Sequence, residues 1–168
     1  MLRETVTRIK EKEKVNDMAN QHHLERLRQG GANAWNMWRQ SDPAILPELH
    51  GADLSGADLR GYNLNLANLR EANLHRANLS ACDLVEARLT GANLSNANLS
   101  GATMIEAKLE FSDLRAADLS GTDLTGADLT DANLLGANVS GAVLNYASLL
   151  GALINDEQLS TVKSRLGQ

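Results

Sequence analysis

The hydrophobic positions of this chain recur every five residues from residue 54 to residue 154. This series holds 18 Leu, and the remaining places hold Met104, Val139 and Ile154. A second series, two residues earlier, holds 17 Ala between residues 52 and 152, with the exceptions Tyr62, Cys82, Ser112 and Thr122. The residue between each Ala and Leu is polar, mostly Asp or Asn. Such internal repetition decides the fold before any single element is considered.

A period of five residues fits neither regular element. In an α-helix five residues advance by about 500°, which spreads the Leu residues around every side. In a continuous strand an odd period sends successive Leu residues to opposite faces. The chain must therefore turn a corner in every pentad, after an extended Ala-(Asp/Asn)-Leu segment. Gly fills ten of the 21 second-corner positions from 51 to 151. Because the others carry side chains, we expect these corners to tolerate negative φ.

Corners of about 90° would give four sides and a coil of 20 residues. The segment VEARL at 85–89 recurs as IEAKL at 105–109, and Tyr62, Cys82 and Thr122 lie on one 20-residue column. In the outward series no Asp stands 20 residues from another Asp. Stacked coils would lie about 4.8 Å apart, where facing carboxylates repel each other. These observations agree on a 20-residue coil.

The tandem segments A-D-L-S-G and A-N-L-x-x over residues 51–154 resemble the pentapeptide repeat proteins. That resemblance implies an all-β solenoid, a right-handed quadrilateral β-helix with Leu and Ala stacked inside. The repeat is long enough for about five coils of this kind. The Leu-rich repeat and the preceding segment AWNMWRQSDPAILPELHGADL are similar to cyanobacterial members of the family.

A stacked solenoid exposes an apolar cross-section at each end, so we expect caps there. The sequence divides into a charged N-terminal arm, a helical N-terminal cap, the pentapeptide-repeat β-helix and a C-terminal capping helix, at 1–16, 17–47, 48–155 and 156–168.

Within the N-terminal cap, Asp17 is a candidate N-cap and Gly30-Gly31 a candidate helix end. Trp35 and Trp38 follow three residues apart, on one helical face. We predict that they form a lid over the first coil rather than a ligand site. In the C-terminal helix, Leu159, Val162 and Leu166 are expected to point inward.

Composition adds little to this architecture but limits the function. Apolar residues make up 43% of the chain and aromatic residues only 3%. The net charge of −5 argues against general nucleic-acid binding. No apolar run approaches the roughly 18 residues that span a membrane, and the charged start MLRETVTRIKEKEK does not look like a secretory signal. We therefore expect a cytoplasmic protein without membrane insertion.

The sequence offers no set of catalytic or metal-binding residues. His22 and His23 are adjacent, so on a helix they diverge by about 100°, and we expect both on a solvated surface. Cys82 occupies an inward Ala position and is expected to be a small core residue rather than a nucleophile. No P-loop, dinucleotide fingerprint or metal-ligand spacing occurs. We therefore predict a protein that is not an enzyme and has no cofactor and no metal.

Three surface features are candidates for binding. The repeated VEARL and IEAKL segments place a candidate partner surface at Val85, Glu86, Arg88, Ile105, Glu106 and Lys108. The alternative is a cross-strand ladder that only fixes the register.

A candidate acidic girdle, one carboxylate per side, consists of Asp113, Asp118, Asp123 and Asp128. The alternative is a solubilising role. A C-terminal apolar end, a candidate homodimer surface, includes Leu135, Val143, Tyr146, Leu150 and Leu153.

The leading interpretation is a non-catalytic interaction or scaffold module for an unknown protein partner. The resemblance supplies an alternative, because some family members resemble DNA in shape and charge and inhibit DNA gyrase. Residues 48–155 hold 13 acidic and six basic residues, and that net charge of −7 would permit mimicry. Those inhibitors, however, are rich in Phe at the central position, whereas Phe111 falls on a corner. The Arg88 and Lys108 column also interrupts the negative surface. A structural role without a single partner is a third alternative.

Overall fold

The computed structural model describes residues 19–162. Two helices flank the repeat, α1 at Gln21–Ser41 and α2 at Asp156–Ser160. Between them 18 parallel bridges each join residues 20 apart, from Glu48–Asn68 to Asn133–Leu153. Within the described range no strand is longer than a single bridge residue. The 20-residue coil is therefore the repeating unit of the backbone, and the solenoid is built of very short extended sides.

Backbone hydrogen bonds join each coil to both of its neighbours. The N–H of Leu94 donates to the carbonyl of Asp113 on the following coil at 2.8 Å. The N–H of Asn93 donates to the carbonyl of Ala72 on the preceding coil at 3.0 Å. At most corners the N–H of the second residue donates to the next coil, and the N–H of the following residue closes the turn on the Leu carbonyl three residues earlier. The N–H of the first corner residue has no backbone partner in this scheme.

The outward Asp or Asn supplies that missing partner. The N–H of Ser95 donates to Oδ1 of Asn93 at 3.1 Å, and the same i to i+2 contact occurs at 15 corners. Asp and Asn are the residues that make this local bond well. Asp and Asn therefore recur at the outward positions because they bind the corner N–H. The sequence alone had suggested only that Asn separates carboxylates on stacked coils.

The expectation of negative φ at the corners was wrong. All 21 second-corner residues, including eleven that are not Gly, have φ between 54° and 73°. A positive φ at the third residue of a turn closed from i+3 to i is the pattern of a type II turn. An L-residue there costs roughly 1–2 kcal/mol. The side chains of Leu66 and Glu86 do not prevent it, because their N–H groups are held by the next coil at 2.9 and 2.8 Å.

The interior consists of the Leu and Ala series, and most of these side chains are fully buried. Two of the polar exceptions donate to carbonyls of the preceding coil. Sγ of Cys82 lies 2.7 Å from the carbonyl oxygen of Leu59, and Oγ1 of Thr122 lies 2.9 Å from that of Leu99. Both contacts have the same separation along the chain, so one interior geometry recurs two coils apart.

Helix α1 begins at a different residue from the one expected, and it is interrupted at the expected glycines. Its N-cap is Asn20, whose side chain accepts the N–H groups of the first turn, and Asp17 lies outside the described residues. The expected helix end at Gly30-Gly31 is confirmed, because Gly31 has non-helical backbone angles, with φ of 62° and ψ of 174°, and a second helical segment follows this kink and runs to Ser41. Residues 1–16, predicted as an arm, also lie outside the described range.

Side chains of α1 replace the coil that is missing below the first one. Oδ1 of Asn36 accepts the N–H of Asn63 at 2.8 Å, and its Nδ2 donates to the carbonyl of Gly61 at 2.9 Å. Nη2 of Arg39 donates to the carbonyl of Asn65 at 3.1 Å. Open backbone groups at a sheet edge otherwise recruit other chains. These side chains therefore end the ladder at the first coil.

Helix α2 contacts the other end of the solenoid. Asn155 and Gln158 form a capping box, in which each side chain binds the other residue's backbone N–H. Nε2 of Gln158 also donates to the carbonyls of Leu134 and Ala137, at 2.7 and 2.8 Å. Leu159 and Val162 are partly buried against the core, as expected. Leu166 lies outside the described residues.

A substitution pair tests the division into inward and outward positions. Leu94→Asp places an unpaired carboxylate in the interior, so we expect a loss of at least about 3 kcal/mol, or no folding. Asn93→Asp keeps the acceptor for Ser95 and adds a charge beside Asp113, so it should cost below about 1 kcal/mol and depend on salt. Urea unfolding followed by circular dichroism measures both, and equal losses would contradict the assignment.

A second pair tests the left-handed corners. Gly101 has φ of 65° and open space where a Cβ would stand. Gly101→Val should therefore cost about 1–2 kcal/mol through backbone strain alone. At Arg76, with φ of 58°, the change to Gly should leave stability within about 1 kcal/mol, because relief of strain opposes a more flexible unfolded chain. A Gly101→Val protein as stable as wild type in thermal unfolding would refute this account.

Candidate interaction surfaces

Trp35 and Trp38 pack between α1 and the first coil. Trp35 is fully buried, and its Nε1 donates to the carbonyl of Asn63 at 2.7 Å. The Trp38 ring meets Trp35 edge-on at 4.8 Å, and the guanidinium of Arg26 lies 5.1 Å from the Trp38 centroid. The buried ring and its satisfied N–H leave Trp35 no free group for a ligand. Its surroundings fit the predicted lid.

His23 does not lie on a solvated surface, in contrast to the expectation. It is buried, and its Nδ1 accepts the N–H of Glu48 at 3.1 Å. An imidazole that accepts at Nδ1 is neutral, with its proton on Nε2. Burial lowers its pKa first; His22, Arg26 and Arg39 lower it further, and only Glu48 opposes them. His23 therefore joins α1 to the solenoid in its neutral form.

The candidate partner surface consists of three neighbouring columns. Val85 and Ile105 are half-buried, so they present less apolar surface than the sequence suggested. The other four residues are exposed and form an acidic column, Glu86 and Glu106, beside a basic column, Arg88 and Lys108. Arg88 and Lys108 are directly joined by a parallel bridge. Along the rod axis, like charges therefore lie on adjacent coils. Around the rod, the acidic column lies next to the basic column.

Elsewhere on the rod, two Arg residues form ion pairs with an Asp of the same chain. Arg60 binds Asp58 through two contacts of 2.7 and 2.8 Å, and Arg115 binds Asp113 with the same distances. Each of these pairs joins an outward Asp to the first corner residue that follows it. Among residues 19–162, no such ion pair joins the acidic and basic columns, although they too lie two residues apart.

The acidic girdle is not a single site. Its four carboxylates lie on four different sides, because each bridges to a different column. Each one also accepts the N–H of its own corner residue. Hydrogen bonding to Arg115 lowers the pKa of Asp113, and hydrogen bonding to Thr130 lowers that of Asp128, with a smaller effect of Lys108. The corner contacts explain these carboxylates without a ligand.

The C-terminal coils carry exposed apolar side chains. Leu135, Tyr146, Leu150 and Leu153 are exposed, whereas Val143 is half-buried. They occupy corners and sides of the last coils, and Leu135, Leu150 and Leu153 belong to one side and its two corners. The homodimer through this end stays a prediction.

The described residues contain no evident reactive centre. Burial raises the pKa of the Cys82 thiol to about 12, so the thiolate nucleophile is absent at neutral pH. Between residues 19 and 162 no three metal-ligating side chains come together. In the same part of the chain, neither helix is long and apolar enough to cross a bilayer.

The lowered pKa of His23 predicts loss of stability in mild acid. The unfolded chain protonates His23 near pH 6.5, while the folded protein holds it neutral to lower pH. The free energy of unfolding should therefore be highest above about pH 6.5 and fall as the pH drops through the folded pKa. His23→Gln, which keeps an acceptor but cannot titrate, should reduce this slope. The exposed His22→Gln is the matched control, and equal slopes in both variants during urea unfolding between pH 8 and 5 would contradict the prediction.

The repeat matches a family model described as pentapeptide repeats, with eight copies over residues 48–84, 82–121 and 122–155. A search of curated proteins gives no match.

Solved structures of pentapeptide repeat proteins are similar to parts of the chain. HetL from the cyanobacterium Nostoc sp. strain PCC 7120, involved in heterocyst differentiation regulation, is 33% identical over 62% of this chain and 58% of its own, with a TM-score of 0.33. A protein of the Arabidopsis thaliana thylakoid lumen is 29% identical over 64% and 68%, with a TM-score of 0.31. Rfr23 from Cyanothece 51142 is 26% identical over 71% and 89%, also at 0.31. The alignment thus spans less than two thirds of HetL. The match of the repeat itself, over most of the chain, shows that this protein belongs to the pentapeptide repeat family.

Proposed function

We propose that this protein is a non-catalytic interaction module that presents a lateral side of its solenoid to a protein partner. The observation that supports it is the pair of exposed, oppositely charged columns at Glu86, Glu106, Arg88 and Lys108, which form no ion pair among residues 19–162. Charges at a protein interface mainly provide orientation and specificity. A backbone held by the coil-to-coil ladder keeps these columns in fixed positions, so little order is lost on binding.

The proposed partner surface is tested by affinity capture from the native cytoplasm. The bait is the full chain, and the test variant is Arg88→Gln with Lys108→Gln. The matched control is Arg60→Gln with Arg115→Gln, which removes two Arg residues that are already paired with Asp. We expect the test variant to lose at least about 90% of the captured partner, a change of about 1.4 kcal/mol, and the control to keep it. Retention by both would exclude this surface.

The gyrase alternative is not favoured by any contact in the structure. The girdle carboxylates lie on four sides, whereas a DNA-like surface needs negative charge along one side. The basic column would also meet a DNA-binding groove with the wrong sign of charge. A supercoiling assay with purified gyrase decides the matter, and we expect no inhibition. The cytoplasmic location stays a prediction.

A further inference from the structure

The two charge columns are unfavourable within a single chain. Arg88 and Lys108 stack on adjacent coils, and so do Glu86 and Glu106 beside them. Adjacent coils lie about 4.8 Å apart, where like charges destabilise a ladder. Among the described residues no ion pair within 4.0 Å compensates either column, and the only attraction across the ladder is the longer-range one between Lys108 and Asp128 on the next coil.

The basic column also gives up a local hydrogen bond. At most corners the outward Asp or Asn accepts the N–H of the first corner residue. Arg and Lys carry no acceptor. In the described part of the chain the N–H groups of Thr90 and Glu110, which follow Arg88 and Lys108, accordingly have no hydrogen-bond partner. The two basic residues thus stand where Asp or Asn would stabilise the fold. Local departures of this kind concentrate at functional sites.

The columns are complementary to themselves. Both have the same rise per coil, because both follow the 20-residue repeat. A twofold axis parallel to the rod, between the columns, places the acidic column of one chain opposite the basic column of the other at equal height. The result is isologous: Glu86 meets Arg88 and Glu106 meets Lys108, each of them twice. A twofold axis perpendicular to the rod would place like columns together, so the charges select two parallel rods.

The neighbouring coils do not oppose this arrangement. On the preceding coil, Leu66 of one chain would face Asn68 of the other chain. On the following coil, Gly126 of one chain would face Asp128 of the other. Neither of these contacts places like charges together. The charge pattern is therefore favourable at two heights and neutral on either side.

We propose that this surface binds a second copy of the chain, side by side and parallel, through these four ion pairs. The inference rests on the proposed function, in that the same surface binds protein, and it names the partner. Two columns over two coils bury much less than the roughly 1,600 Å² of a standard stable interface. The dimer is therefore weak, reversible and sensitive to salt.

Sedimentation velocity of the full chain tests the proposal, from about 10 µM to about 1 mM protein. Measurements at about 0.02 M and about 0.5 M salt separate screened from unscreened charges. The acidic variant is Arg88→Glu with Lys108→Glu, and the basic variant is Glu86→Lys with Glu106→Lys. Each alone faces like charge across the twofold axis, so each should dimerise at least about tenfold more weakly than wild type.

An equimolar mixture of the two variants tests the charge pairing. In the mixed dimer each of the four contacts joins an acidic side chain of one variant to a basic side chain of the other, so association should return toward wild type at low salt and exceed that of either variant alone by at least about threefold. The fourfold variant with both columns reversed should dimerise by itself as wild type does. Thermal unfolding of every variant confirms that these exposed substitutions leave the fold intact.

Recovery in the mixture supports the proposal, as does loss of the wild-type dimer at high salt. A chain that stays monomeric at low salt at every concentration overturns it. A dimer unaffected by either variant also overturns it and points to another surface, such as the C-terminal apolar end. Either of these two outcomes would overturn the dimer without contradicting the capture of a different protein partner. Failure of the affinity capture, in turn, would not contradict a dimer seen by sedimentation.

Discussion

The hydrogen-bond ladder between successive coils is the constraint on which the rest of the structure depends. It uses the N–H of the outward residue, of the Leu and of the second corner residue, and it leaves one N–H per pentad free. That remaining donor explains why Asp and Asn recur on the outside. The ladder also binds most of the second corner residues, all of which have positive φ, whether or not they are Gly. Interior packing and corner chemistry thus follow from one pattern of backbone pairing.

Much of this architecture could be predicted from the sequence. The Leu and Ala series identified the interior, and the VEARL and IEAKL segments gave the coil length, because residues at equal positions of successive coils share one environment. The sign of φ could not be obtained in this way. Side chains at the corners suggested negative φ, but hydrogen bonds that close the turn and, at most corners, join it to the next coil override the local preference. His23 was misplaced for a similar reason, since its acceptor role depends on the N–H of Glu48, which is distant in sequence and belongs to the solenoid.

The candidate surface was predictable in its residues but not in its character. The repeated segment drew attention to Val85 and Ile105, which are half-buried and contribute little. The significant feature is that, among residues 19–162, no ion pair joins the acidic column of Glu86 and Glu106 to the basic column of Arg88 and Lys108. Asp58 with Arg60 shows that a spacing of two residues permits an ion pair when the Asp is central and the Arg follows on the corner. In Glu86 and Arg88 the order is reversed and the charges stay separate. Only the three-dimensional corner geometry distinguishes these two orders.

The N-terminal helix binds the first coil through Asn36, Arg39 and Trp35, and this has a consequence for how such rods can change length. Insertion of one whole coil in the middle would lengthen the rod and leave every side facing as before. Insertion of a single pentad would preserve the interior equally well but rotate everything beyond it by a quarter turn relative to the helix. In this architecture the length of the rod and the direction in which a given side faces, relative to the N-terminal helix, can therefore vary independently. Gain or loss of one pentad would redirect a binding surface without creating a new one.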